Sequence, residues 1–166
     1  ELGRGIGADV AFFLTDTSFS IGRGKGDILE SLKTERNLWH LVITPDIKLL
    51  SGDIYRLYSE TRSLTLTKKR SIDRILFPTI HMSNMGQLEA LLHNDLEDIV
   101  LAREPIIKDI KDAMASNGAK NTLVSGSGPS VFGIYETRKE ALKAKKACFK
   151  RLPVSRGWRV FIAETH

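Results

Sequence analysis

One stretch constrains this chain more than any other: Val124-Ser125-Gly126-Ser127-Gly128-Pro129-Ser130-Val131-Phe132-Gly133-Ile134-Tyr135. An apolar segment, Thr122-Leu123-Val124, reads as a strand and runs straight into a string of small residues. A second apolar run, Val131 to Tyr135, begins where that string ends. Glycine takes positive φ angles and leaves neighbouring backbone N–H groups unshielded. Successive N–H groups facing one concavity form an anion nest, and serine hydroxyls add donors of the same polarity. An ordinary hairpin turn between two strands draws on the same residues. The spacing alone leaves both readings open.

The elements around this stretch set the architecture. Leu38-Trp39-His40-Leu41-Val42-Ile43-Thr44-Pro45 reads as a strand ended by proline. His40 lies inside that strand, where a structural histidine is the plain reading and a base the other. Ser51 is expected to cap a helix beginning Gly52-Asp53-Ile54-Tyr55, with Asp53 near its positive end. Tyr55 and Tyr58 share a face of that helix, as core or as a stacking surface. Lys68-Lys69-Arg70-Ser71 is the densest basic cluster and reads as a solvated face. Leu88, Leu92, Leu96 and Ile99 recur at helical spacing. Pro105 marks a break or the first turn of another helix, with Ile107, Ile110 and Met114 as its stripe and Asn117-Gly118 as its stop. Thr137 can cap a last helix whose stripe is Ala141, Ala144, Cys148 and Leu152. Trp158 to Ala163 is the closing strand. From Leu38 the order is β, helices, β, β, α, β, the split βαβ pattern of a ferredoxin-like α+β sandwich.

The segment before Leu38 is different in character. A glycine-dense connection, Leu2 to Ala8, leads to Asp9 and the apolar run Val10-Ala11-Phe12-Phe13-Leu14, which reads as a buried strand. An acid at a strand's mouth stands where catalytic groups of α/β proteins often lie, although aspartate in such loops also caps or turns the chain. Ser18-Phe19-Ser20-Ile21 reads as a second short strand. Gly22-Arg23-Gly24-Lys25-Gly26-Asp27 does not fit a P-loop and reads as a hairpin turn with two solvated basic residues.

Composition limits the function classes. At 166 residues the chain is one domain of ordinary size, or one domain with a fragment of another. The single cysteine, Cys148, allows no internal disulfide and no zinc cluster, which suits a reducing cytoplasm. No apolar run approaches a membrane span. Net charge of +5 admits an anionic ligand or nucleic acid and names neither.

Gly7-Ala8-Asp9-Val10-Ala11-Phe12-Phe13 together with Ser125-Gly126-Ser127-Gly128-Pro129-Ser130-Val131-Phe132 resembles the GHMP kinase superfamily. Gly22-Arg23-Gly24, Trp39 through Pro45, Lys69-Arg70-Ser71-Ile72 and Asn94-Asp95-Leu96-Glu97 extend the resemblance nearly end to end, in the family's order. The Gly7-Ala8-Asp9-Val10 element together with the Lys69-Arg70-Ser71 segment makes the chain resemble most the branch acting on 4-diphosphocytidyl-2-C-methyl-D-erythritol. The resemblance implies transfer of the ATP γ-phosphate to a substrate hydroxyl in the non-mevalonate route to isoprenoid precursors. It gives Asp9 the place of the catalytic base, and Ser125, Gly126, Ser127 and Gly128 that of the family's third motif, which lines the phosphate and substrate region. Tyr55 falls at an aromatic that stacks on the cytosine ring, and Ser51 at a small hydroxyl position near the substrate. Ala11 stands where the family more often has proline.

The resemblance also implies a division of the chain. Residues 1–36 correspond to the tail of the ATP-binding domain, and residues 37–166 to the substrate-side C-terminal domain. The family's ATP-phosphate loop and its catalytic lysine would lie upstream of Glu1, so the 166 residues alone are expected to be inactive. Expected ligands are ATP, a cytidine diphosphate sugar-alcohol and magnesium, for which no dedicated carboxylate cluster is visible and no residue is assigned. A cytoplasmic monomer or homodimer without nucleic-acid or membrane partners is expected. Two alternatives compete: a sister kinase of homoserine, mevalonate or a sugar, and a basic RNA-binding ferredoxin-like module. The second needs exposed aromatics in an Arg/Lys-Gly-Phe type motif, and none surrounds Phe132 or Tyr135.

Overall fold

The computed structural model describes residues 8–14, 19–23, 28–32, 37–64 and 92–165. Among them the order is α1 (Ala8–Phe13), β1 (Phe19–Arg23), β2 (Ile28–Leu32), β3 (Trp39–Thr44) and α2 (Ser51–Leu64). Then come α3 (Glu97–Arg103), α4 (Pro105–Ala115), β4 (Asn121–Val124), β5 (Val131–Tyr135), α5 (Arg138–Arg151) and β6 (Arg159–Glu164). The Lys68–Ser71 cluster and Leu88 lie outside the described residues.

β1 and β2 pair antiparallel with Arg23 opposite Ile28, and the turn expected over Gly22–Asp27 lies, from residue 24 to 27, outside the described residues. The other four strands form one antiparallel sheet in the order β4-β5-β3-β6. Counted along the chain from β3, that order is second, third, first, fourth, the arrangement of the split βαβ sandwich. The sheet therefore brings the two ends of residues 37–165 side by side, with Trp39 opposite Glu164.

Strand alternation selects the buried face. Leu41 and Ile43 of β3 are buried, while His40 and Val42 are half-buried. The core closes against Ile107, Ile110, Ala113 and Met114 of α4 and Ala141, Ala144 and Cys148 of α5. Burying each large aliphatic side chain of this core, such as Leu41, Ile43, Ile107 or Ile110, is worth about 1.5–3 kcal/mol. Methyl-sized residues bring α5 down onto the sheet, and Gly133 of β5 does the same for α4. A Cβ there would meet Met114 Sδ at 3.1 Å and Ala119 Cβ at 3.3 Å.

Helix ends follow their local chemistry. Pro105 opens α4, where its missing N–H costs no hydrogen bond. Beyond α4, Gly118 takes φ +90° and turns the chain toward β4. Thr137 caps α5 in a reciprocal box with Glu140, each side chain meeting the other residue's N–H at 3.2 Å.

Three local expectations are corrected. Val10–Leu14 does not form a strand: Ala8–Phe13 is a six-residue helix and Leu14 a turn, so Asp9 stands in that helix and not at a strand's mouth. A short apolar run does not distinguish helix from strand by periodicity. The stripe from Leu92 is not continuous helix, because α3 starts only at Glu97. The Asn94 side chain accepts the Leu96 N–H at 3.0 Å, a local bond that competes with the helical ladder. Finally, Ser51 is the first residue of α2, and the carbonyl of Leu50 receives the Asp53 and Ile54 amides.

Candidate functional site

The loop between β4 and β5 is closed from within and gripped from outside. Ser125 N–H donates to the Ser130 carbonyl at 2.8 Å, and Gly128 N–H to the Ser125 carbonyl at 3.0 Å. Gly126 and Gly128 both take left-handed φ, +56° and +77°, a conformation that costs other residues steric energy. Only the second is also crowded, since a Cβ on Gly128 would lie 3.2 Å from both Leu49 Cδ1 and Val100 Cγ1. The Gly128–Pro129 peptide is cis. Ser130 Oγ lies 2.9 Å from Thr44 Oγ1, which ties the loop's exit to the end of β3.

Helix α2 meets the loop at its first residue. Ser51 Oγ and Ser127 Oγ are 2.8 Å apart. One helical turn later Tyr55 is on the same side of α2 as Ser51 and is 57% exposed. Tyr58, by contrast, is half-buried against the core and donates its hydroxyl to Asp95 Oδ2 at 3.2 Å. The tyrosines thus divide the two readings: Tyr58 packs on the core and Tyr55 is an exposed aromatic surface. Asp95 Oδ1 also meets His93 Nε2 at 2.8 Å, which fixes the segment entering α3.

Ser51, Tyr55, Ser125, Gly126, Ser127 and Gly128 therefore gather at one end of the sandwich, where α2 abuts the glycine loop. Among the described residues the N–H groups of Gly126 and Ser127 have no hydrogen-bond acceptor. Two free amides and a serine hydroxyl, on a loop held by glycine conformations, can solvate an anionic oxygen. Asp9 is placed in α1 by its backbone, and its side chain lies outside the described set. Among the described residues no three His, Cys, Asp or Glu side chains gather as a metal site. No described helix is long and apolar enough to cross a membrane.

Residues 76–154 match the family described as GHMP kinases C terminal. The chain carries a GHMP kinase C-terminal domain. It is 33% identical over 164 residues to the 4-diphosphocytidyl-2-C-methyl-D-erythritol kinase of Desulfotalea psychrophila, covering 99% of this chain and 52% of that protein. It is 37% identical over 148 residues to the kinase of the same name from Syntrophus aciditrophicus, covering 87% of this chain and 49% of that one. A crystal structure of 4-(cytidine 5'-diphospho)-2C-methyl-D-erythritol kinase superposes with TM-score 0.72 at 25% identity, over 97% of this chain and 54% of that chain. The chain spans about half the length of the curated relatives it matches.

Within this GHMP kinase domain, sequence reasoning missed the residues that hold the glycine loop. Asn94 donates from Nδ2 to the carbonyls of Val124 and Gly126, both at 2.8 Å. Glu97 Oε2 accepts the Val124 N–H at 2.8 Å, while Oε1 pairs with the Lys111 ammonium. The signal in the sequence was the run Asn94-Asp95-Leu96-Glu97, which contributed to the resemblance but carried no residue-level role. Its thirty-residue separation from the loop hides the contact from any local pattern.

Proposed function

We propose that this chain is the substrate-side part of a small-molecule kinase that transfers the ATP γ-phosphate to the 2-hydroxyl of 4-diphosphocytidyl-2-C-methyl-D-erythritol. The observation that carries the reading is the Ser51–Ser127 contact of 2.8 Å, which joins the helix bearing Tyr55 to the glycine loop. Relatives with that activity in their names match along nearly the whole chain. Tyr55 stacks on the cytosine ring, an interaction worth about 1–3 kcal/mol per base. Ser51 contacts the substrate. The Gly126 and Ser127 amides present donors to phosphate oxygens, on a loop whose turn is set by the Gly128 amide bonding back to the Ser125 carbonyl, and positioning and charge neutralisation supply most of the catalysis.

Asp9 takes the proton of the attacking hydroxyl. That oxygen bonds to the γ-phosphorus, the bond to the β-phosphate oxygen breaks, and ADP leaves. Magnesium enters with the ATP phosphates, as is usual for such transfers. Residues 1–36 belong to the tail of the ATP-binding domain and residues 37–166 to the substrate-side domain. Phe13 and Leu14, exposed at 79% and 70%, support this division, because such side chains suit a surface that a larger domain covers.

The test is ATP-dependent phosphorylation by the protein at the full length of its relatives, with the cytidine substrate, homoserine and mevalonate offered in parallel. Turnover of the cytidine substrate is expected. Asp9→Asn is expected to lower kcat by about 10²–10⁴-fold with the fold intact. Turnover of homoserine or mevalonate in its place would discard Tyr55 as a cytosine platform. The 166 residues alone are expected to turn over no ATP, and measurable turnover by them would overturn the assignment of the ATP loop to a separate segment.

A further inference from the structure

The peptide groups of the glycine loop do not orient themselves. Two carbonyls, of Val124 and Gly126, are drawn to a single carboxamide, Asn94 Nδ2, at 2.8 Å each. The same side chain is fixed from its other end, because Oδ1 accepts the Leu96 N–H at 3.0 Å. All three hydrogen bonds of Asn94 are thus used in one geometry. Three residues on, Glu97 holds the Val124 N–H through Oε2 and is itself braced by Lys111. That ion pair is largely withdrawn from water, with side chains 17% and 16% exposed, which makes it stiffer than a surface pair.

A trans peptide is planar, and its C=O and N–H point in opposite directions. Holding the Gly126 carbonyl toward Asn94 therefore turns the Ser127 N–H away from Asn94. That amide has no acceptor among the described residues. If the carbonyl were released, the peptide could rotate, since glycine at 126 opposes rotation less than any other residue would. A rotated peptide would present an oxygen where an anion needs a donor.

We propose that Asn94 is a positioning residue: by holding the Gly126 carbonyl it aims the Ser127 N–H at the anionic oxygens of the reacting phosphate, with Glu97 and Lys111 bracing the strand end behind it. The kinetic arm of the test rests on the kinase reading above; the exchange arm does not.

The informative variant is Asn94→Asp in the full-length protein. It keeps the shape and the Leu96 bond, but a carboxylate donates nothing and repels both carbonyls. Amide hydrogen exchange over residues 124–130 is expected to speed up at least tenfold, with exchange in β3 and α5 unchanged. The value of kcat is expected to fall 10²–10³-fold, the scale for loss of one preorganised donor, while KM for ATP stays within about threefold. The ratio of variant to parent kcat is expected to rise as pH falls, because the introduced carboxyl regains one donor when it is protonated. A merely structural role would not produce that pH recovery. Should Asn94→Asp not fold, Asn94→Ala removes both carbonyl bonds, together with the Leu96 bond, without adding charge and is read by loop exchange and kcat in the same way. Unchanged loop exchange in a folded variant, or a kcat within twofold of the parent, overturns the proposal. If the parent phosphorylates none of the substrates offered, the kinase reading fails, and loop exchange alone decides whether Asn94 holds the loop.

Discussion

At the scale of single residues, the two loop glycines look alike in sequence and differ in their surroundings. A Cβ added to Gly126 would meet nothing within 4 Å, so Gly126→Ala adds only the left-handed backbone strain, about 1–2 kcal/mol. Gly128 shares the positive φ and is also boxed by Leu49 and Val100 at 3.2 Å. Gly128→Ala is expected to destabilise by about 1 kcal/mol or more beyond Gly126→Ala, because overpacking adds to strain. Urea unfolding of the two variants checks the order, and equal losses would show that Leu49 and Val100 yield freely. His40 is a second case. Burial between Phe132, whose ring centroid lies 6.0 Å away, and the rest of the sheet lowers its pKa below the ordinary 6.5. As pH falls below about 6.5 the unfolded chain takes up a proton that folded His40 refuses, so stability falls until the lowered folded value is passed. His40→Gln is expected to flatten the unfolding free energy between pH 7 and 5, measured by denaturant titration at each pH. Cys148, fully buried with its thiol pushed up by desolvation, behaves as a small core hydrophobe.

At the scale of elements, α5 shows how far local chemistry can reach. Thr137 and Glu140 form both halves of a capping box, and Lys150 and Arg151 stand in the last turn, each favourable to the helix dipole. Three small residues on one stripe then bury themselves in the core. Thr137→Ala is expected to cost about 1 kcal/mol, lowering Tm by roughly 2–4 °C in thermal unfolding while leaving loop exchange over residues 124–130 unchanged. This helix was legible because cap, stripe and charge all agree over a single continuous stretch. The expected strand over Val10–Leu14 and the expected helix through Leu92 were not, for opposite reasons. The first has too few residues for its period to speak, and the second is interrupted by Asn94, whose side chain spends its bonds on Leu96 and on a distant loop.

At the scale of the whole molecule, the sheet order β4-β5-β3-β6 carries the N-terminal turn of α2 and the entry to α3 to the glycine loop. Ser51 and Asn94 reach it over separations of 76 and 32 residues to their loop partners. The sequence by itself determined the alternation of strands and helices from β3 onward, the stripes that face the core and the cap of α5. Those are set by local propensity and by the period of apolar residues, which act over a few neighbours. Only the tertiary structure decided that Tyr58 packs on the core while Tyr55 is exposed, that Ser51 bonds to Ser127, and that Asn94 holds the carbonyl of Gly126. Hydrogen bonds between residues so far apart form only after the sheet has brought them together, and no local pattern in the chain encodes their geometry.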